Sequence, residues 1–134
     1  MGQFRPIDQT ACLTFESVVI TAAVTAGMAL KSATGGVSAA GDGEKVVGFA
    51  AADAAVGAPI SCWGLAGGIF AGIVANTVDL ALEQKVVMNA TQELDAGTVT
   101  NPVVGRVVSF NPAAGDGATI EAEFRFDPHG NEVI

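Results

Sequence analysis

The chain has 134 residues, half of them hydrophobic and 15% charged, which excludes a disordered tail and a charged coiled coil. Fourteen acidic against six basic residues give a formal charge of −8, which disfavours nucleic acid and anionic membrane surfaces as partners. With 24 alanines, 17 valines and 17 glycines the side chains are short, and a chain of this length buries a core without a metal or disulfide staple.

Residues 1–10 lack periodicity and read as an extended N-terminal arm. Within it Phe4, Arg5, Pro6 and Ile7 combine an apolar anchor, a bidentate donor and a stiffener, the makings of a strap that orders on a partner surface. Thr10–Ala22 is rich in β-branched residues, with Cys12, Thr14 and Glu16 alternating against Leu13, Phe15 and Ser17, a strand pattern. Met28–Ser32 follows a turn at Ala26-Gly27, and Gly35-Gly36 marks a hairpin. Ala40-Gly41-Asp42-Gly43 is a second turn, and Glu44–Ala50 the next strand. Ala51–Val56 suits one helical turn. Pro59–Leu65 and Gly68–Ala75 suggest two strands paired across Ala66-Gly67. Thr77–Leu82 suggests a short helix, with Thr77 as its N-cap and Asp79 near its positive end.

Lys85–Asn89 is a strand and Gln92–Gly97 a turn. Val103–Phe110 and Ala118–Phe126 are the clearest strands, separated by the turn cluster Asn111–Gly117. In the second of these Ile120, Ala122, Phe124 and Phe126 share one face, while Thr119, Glu121, Glu123 and Arg125 share the other. Residues 128–134 form a polar tail. The pattern predicts an all-β chain: a small β-barrel or β-tulip-like domain over residues 11–127, with the arm before it and at most one or two short helices. A weak internal duplication is also visible. Val46-Val47-Gly48 leads into Ala58-Pro59-Ile60 as Val103-Val104-Gly105 leads into Ala118-Thr119-Ile120, suggesting equivalent strand-turn-strand pieces of one barrel.

Ala54–Val78 carries no charge, yet Gly57, Pro59, Gly64, Gly67 and Gly68 make a continuous membrane-spanning helix costly. Cys12 and Cys62 lack the spacing of a zinc site and are expected as free, buried small residues. The lone His129 is expected in an exposed tail. Asp42 and Asp116 sit in Gly-Asp-Gly turns, too sparse in oxygens for calcium. Glu121 and Glu123 would suit a two-carboxylate hydrolase, but an alternating solvated strand face explains them without chemistry. No catalytic residue, metal or cofactor is expected. Trp63 and Phe70 suit either core packing or a subunit interface.

The order of the pieces carries a resemblance. Ala26-Gly27-Met28-Ala29-Leu30 precedes Gly35-Gly36-Val37, then Glu44-Lys45-Val46-Val47-Gly48-Phe49-Ala50 and Val56-Gly57-Ala58-Pro59-Ile60. Val103-Val104-Gly105-Arg106-Val107 then precedes Gly115-Asp116-Gly117-Ala118-Thr119-Ile120. Over roughly residues 10–126 this layout resembles the small capsid cement, or head decoration, proteins of tailed bacteriophages. A longer, Gly-rich stretch from Gly64 to Asn76 departs from the pattern. The resemblance implies a β-barrel or β-tulip chain, made in the host cytoplasm, that assembles as a homotrimer on the outer surface of the virion head. It would bind the major capsid protein at local three-fold positions, without nucleic acid or membrane. Phe4, Arg5, Pro6 and Ile7 are then candidates for contact with the capsid, and Trp63 and Phe70 for contact between subunits. A different expectation is a glycan-binding β-module, for which Trp63 would be the stacking residue.

Overall fold

The computed structural model describes residues 4–8, 12–75, 79–96, 102–110 and 120–128. Among these the chain is all-β, with eleven strands and no helix. The first six are β1 (Arg5–Pro6), β2 (Cys12–Val19), β3 (Ala29–Ala33), β4 (Gly36–Ala39), β5 (Gly48–Ala50) and β6 (Pro59–Trp63). The remainder are β7 (Gly68–Ile73), β8 (Lys85–Met88), β9 (Leu94–Ala96), β10 (Gly105–Phe110) and β11 (Glu121–Phe126). Strands β2-β4-β3-β5-β6 close into a barrel, and β1-β7-β11-β10-β8-β9 form a six-stranded sheet.

The two assemblies repeat one connectivity. From β2 the neighbours run β2-β6-β5-β3-β4, and from β7 they run β7-β11-β10-β8-β9. Each contains a hairpin, β3–β4 or β8–β9, and each brings its first strand alongside the second arm of that hairpin in parallel. In the barrel this closure joins Val18 and Val19 to Gly36 and Val37; in the sheet it is the single parallel bridge from Val74 to Leu94. The Val-Val-Gly triplets occupy equivalent places. The Val47 amide donates to the Leu30 carbonyl and the Val104 amide to the Val86 carbonyl, both at 2.8 Å. A Cβ at Gly105 would lie 2.1 Å from the Arg125 carbonyl oxygen, and one at Gly48 would lie 3.0 Å from that of Trp63. The duplication is therefore wider than the sequence suggests, and its copies lie in separate sheets rather than in one barrel.

Two apolar cores follow. Val19, Val24, Met28, Leu30, Ala50, Ile60 and Cys62 fill the barrel. The second core lies between the assemblies: Ala29 and Phe49, on the outside of the barrel, pack with Phe70, Val86, Phe124 and Phe126 of the sheet. Phe49 is the hub, with ring centroids 4.6 Å from Phe70, 4.7 Å from Phe4 and 4.8 Å from Phe126. Such tilted and edge-on pairs add to the burial itself. The expected alternation in β11 holds, with Ala122, Phe124 and Phe126 buried and Glu121 and Arg125 exposed.

Several local expectations are corrected. β6 and β7 do not pair with each other: β6 stays in the barrel and β7 enters the sheet. Gly64, Gly67 and Gly68 all have positive φ (87°, 90° and 127°), and they carry the chain from one layer to the other instead of folding it back. Gly64 also packs where the Phe70 and Phe126 rings approach, each 3.2 Å from where a Cβ would lie. Ala51–Val56 forms no helical turn; Ala54 and Val56 bridge to Val24 and Val19, extended against the barrel. The expected turn at Gln92–Gly97 contains β9, because Leu94 is buried and pairs with Met88. Asp79–Leu82 is not helical, while Thr77, the expected N-cap, falls outside the described residues. So do the turn cluster at 111–117, with Asp116, and His129 with the end of the tail.

The N-terminal segment is not a free arm where it is described. β1 pairs antiparallel with β7, Arg5 opposite Ala71 and Pro6 opposite Phe70. Phe4 is 2% exposed and belongs to the shared core.

Candidate interaction surface

The sequence-derived candidates divide between core and surface. Phe4 and Phe70 are corrections: both rings are buried within their own chain, so neither is presented to a capsid or a second subunit. Apolar rings placed at a two-layer junction gain more from that burial than from exposure. Arg5 is exposed, and its guanidinium donates to the Glu121 carboxylate at 2.9 Å, which raises the affinity of Arg5 for its proton. Glu121 is thus tied across β7 to the N-terminal strand. Pro6 is half-buried and Ile7 is exposed. Trp63 is half-buried against the shared core, its place fixed by pairing with Phe49 and Cys12.

The duplication makes one surface stand out. Matching Gly48 to Gly105 sets Cys12, Leu13 and Thr14 of β2 where Ile69, Phe70 and Ala71 stand in β7. In β7 the outer edge is covered by β1, and Phe4 seals the layer beside it, its ring 2.6 Å from where a Cβ on Gly72 would lie. In β2, by contrast, pairing on that side begins only at Val18, so Cys12–Ser17 has no strand on its outer edge among the described residues. The consequence is visible in burial: Phe70 is 0% exposed, whereas its counterpart Leu13 is 49% exposed. Cys12, Thr14, Glu16 and Ser17 are exposed as well. Beside this edge an apolar cleft of about 160 Å³ opens into the barrel, lined by Ser17, Leu30, Val37, Ile60, Cys62 and Leu65. An open edge flanked by apolar surface is a template for another chain, and proteins that remain single usually block it.

The cysteines straddle this ribbon. Cys12 lies opposite Trp63 and Cys62 opposite Leu13, so the two thiols belong to opposite faces of the β2–β6 pair, and both are free. Cys62 is buried as expected, whereas Cys12 is exposed, on a stretch of β2 whose outer edge carries no strand among the described residues. Burial, and secondarily the nearby Cys12, pushes the Cys62 thiol up to about 11. At pH 8 only about a thousandth of such a thiol is thiolate. Iodoacetamide should therefore add one carbamidomethyl group per folded chain, at Cys12, as read by peptide mass spectrometry. Equal labelling of Cys62 would contradict its burial.

Two polar arrangements were not legible from sequence. Gln92 is 3% exposed and spans the two assemblies. Its Oε1 accepts from the Ala29 amide at 2.9 Å, and its Nε2 donates to the carbonyls of Ala29 and Ala40 at 3.0 and 2.9 Å. Glu44 accepts from Lys31 and from the Gly41 amide, and these bonds hold its carboxyl below the usual glutamate range. Among the described residues no group of three or more His, Cys, Asp or Glu side chains converges as a metal site, and no helix is long and apolar enough to cross a membrane. Comparison with protein-family models finds none that matches the chain, and comparison with curated proteins finds no similar sequence.

Proposed function

We propose that this chain is a structural virion protein: a capsid cement, or decoration, protein that acts as a homotrimer on the outside of a phage head and stabilises the expanded shell. The reading rests on the order of sequence motifs and on the all-β architecture. The observation that carries it is the edge of β2, which no strand covers among the described residues, beside an apolar cleft, at a position whose internal counterpart is closed by a strand and a phenylalanine. A protein whose job is to hold neighbours together needs such a surface to remain available until the neighbour arrives. Three copies turn three weak contacts into one strong attachment through effective concentration, and selective binding to the expanded lattice stabilises it by linkage. The net charge of −8 keeps crowded copies apart from one another and from packaged nucleic acid.

Light scattering on the purified chain is expected to give three times the 13.4 kDa monomer mass. The protein should add to expanded heads of its parent phage and not to procapsids. Leu13→Asp, at an exposed site, should leave the fold intact and abolish either trimerisation or head binding. A stable monomer that leaves heads bare would overturn the reading.

A further inference from the structure

The outer edge of β2 carries no strand along Cys12–Ser17 among the described residues, and its internal counterpart shows how such an edge is closed. There β1 runs antiparallel to β7, with Phe4 over Gly72 on the buried face and Arg5, opposite Ala71, on the outer face. Arg5 reaches the Glu121 carboxylate at 2.9 Å. Closure thus combines an apolar side chain inward, a cation outward and main-chain pairing between them. β1 then ends the sheet: one of its two residues is Pro6, which has no amide to offer a further strand. Cys12–Ser17 contains neither proline nor lysine, residues that commonly block an edge.

The alternation of β2 sets what a covering strand must present. Leu13 lies opposite Cys62, Ser17 lines the apolar cleft and Val19 is buried, so these three face the barrel interior. Phe15 pairs with Ile60 and Val18 with Pro59, three residues advanced against one, a slip of two that preserves the alternation. Cys12, Thr14 and Glu16 therefore project outward, and the Thr14 and Ser61 hydroxyls bond there at 2.9 Å. An added strand alternates in the same way. Its inward side chains meet Leu13 and the cleft of about 160 Å³, whose lining of Leu30, Val37, Ile60 and Leu65 would leave a charge unpaired. Its outward side chains stand beside Thr14 and Glu16. Thr14 occupies the place of Ala71, so a cation held as Arg5 is held lies opposite Thr14 and one diagonal from the exposed Glu16 carboxylate, within reach of a long side chain. In a chain of net charge −8 a basic segment is favoured at this edge, whereas a second copy would bring its own acidic surface to the contact.

We infer that the β2 edge takes up, as an added antiparallel strand, an extended segment of a partner protein in which apolar and basic residues alternate. The inference rests on the proposed role of this edge as the attachment surface and names the chemistry of what attaches. It is tested without capsids. In an amide NMR titration of the full chain, the capped peptide Val-Arg-Val-Lys-Val should cause saturable shifts at residues 13–17, weakening as salt is raised. The capped peptide Val-Glu-Val-Glu-Val should bind about tenfold more weakly. Strand addition uses only alternate amides, so of two N-methylated forms, one methylated on the valines and one on the Arg and Lys residues, one should keep binding and the other lose it. Glu16→Lys, at an exposed site, should keep the native spectrum elsewhere and reverse the preference between the basic and acidic peptides. Absence of saturable shifts, shifts centred away from β2, equal binding by the two methylated forms or an unchanged preference in Glu16→Lys would overturn the inference. So would a fall in oligomeric mass on adding the basic peptide, by identifying the occupant as a second copy of this chain. A chain that trimerises and coats heads but ignores the peptides loses this inference and keeps the function proposed above; one that binds them along β2 but stays monomeric and leaves heads bare does the opposite.

Discussion

Phe4→Ala should lower the stability of the chain by about 3–5 kcal/mol, measured as a fall in the midpoint of urea unfolding. The ring is 2% exposed and packs on Phe49 at 4.7 Å and edge-on to Phe124 at 5.9 Å. Gly72 lies directly beneath it and supplies no side chain to fill the space that alanine would leave. Neighbouring strands are held by their own ladders, so the hole can collapse only in part. Phe4→Leu should recover most of the loss, because an aliphatic side chain refills much of the volume. Deleting residues 1–7 should do more than detach a strap: it removes the core ring, the β1–β7 pairing and the Arg5–Glu121 ion pair together. If Phe4→Ala changes stability by less than about 1 kcal/mol, the N-terminal segment is not part of the core.

Gln92→Leu is the second substitution with a large expected effect, a loss of about 2–4 kcal/mol. Leucine nearly preserves the volume but strips the Ala40 carbonyl of its amide donor and the Ala29 amide of its acceptor, both in a buried setting. The Ala29 carbonyl keeps a bond from the Ala40 amide at 3.0 Å, so it suffers least. Gln92 also has a φ of 60°, in the left-handed region where side chains are strained. Gln92→Gly relieves that strain while losing the same three bonds, so it should be less damaging than Gln92→Ala. Differential scanning calorimetry on the three variants separates the backbone contribution from the hydrogen bonds. Equal melting temperatures for wild type and Gln92→Leu would show that the amide does not join the layers.

Strand identity was legible where one face is buried and the other wet. β11 shows this plainly, with Ala122, Phe124 and Phe126 inward, and the Gly35-Gly36 hairpin was marked by its own turn chemistry. Partner choice was not legible. In Ala/Val-rich sequence every strand offers a similar small apolar face, so proximity suggested pairing β6 with β7, although the glycines between them lead across layers. The short pieces β5 and β9 are three residues each, too few for periodicity to set their limits. Phe4 lacks an apolar neighbour pattern of its own, and its burial follows only from pairing of the next two residues with β7. Gln92 sits in a polar turn sequence, where nothing local distinguishes a buried amide from a solvated one. Some neighbourhoods depend on register alone: Lys85, Arg106 and Arg125 come from three strands and lie side by side only because Gly105 faces both Val86 and Phe126.

The order of the strands along the chain sets the schedule on which the ribosome can deliver this fold. All five barrel strands lie between Cys12 and Trp63, so the barrel can close while later residues are still being synthesised. The sheet cannot: β7 lies between β1 from the beginning of the chain and β11 from residues 121–126. Until β11 emerges, the Phe124 and Phe126 rings that pack on Phe49 are missing from the barrel's outer wall, and β7 has no partner on its β11 side. Translation of the second half is thus the interval in which a nascent chain is most prone to stick to its neighbours on a polysome. Synonymous codons that slow elongation after Ile73 should lengthen that interval and lower soluble yield, with no change in the mature protein.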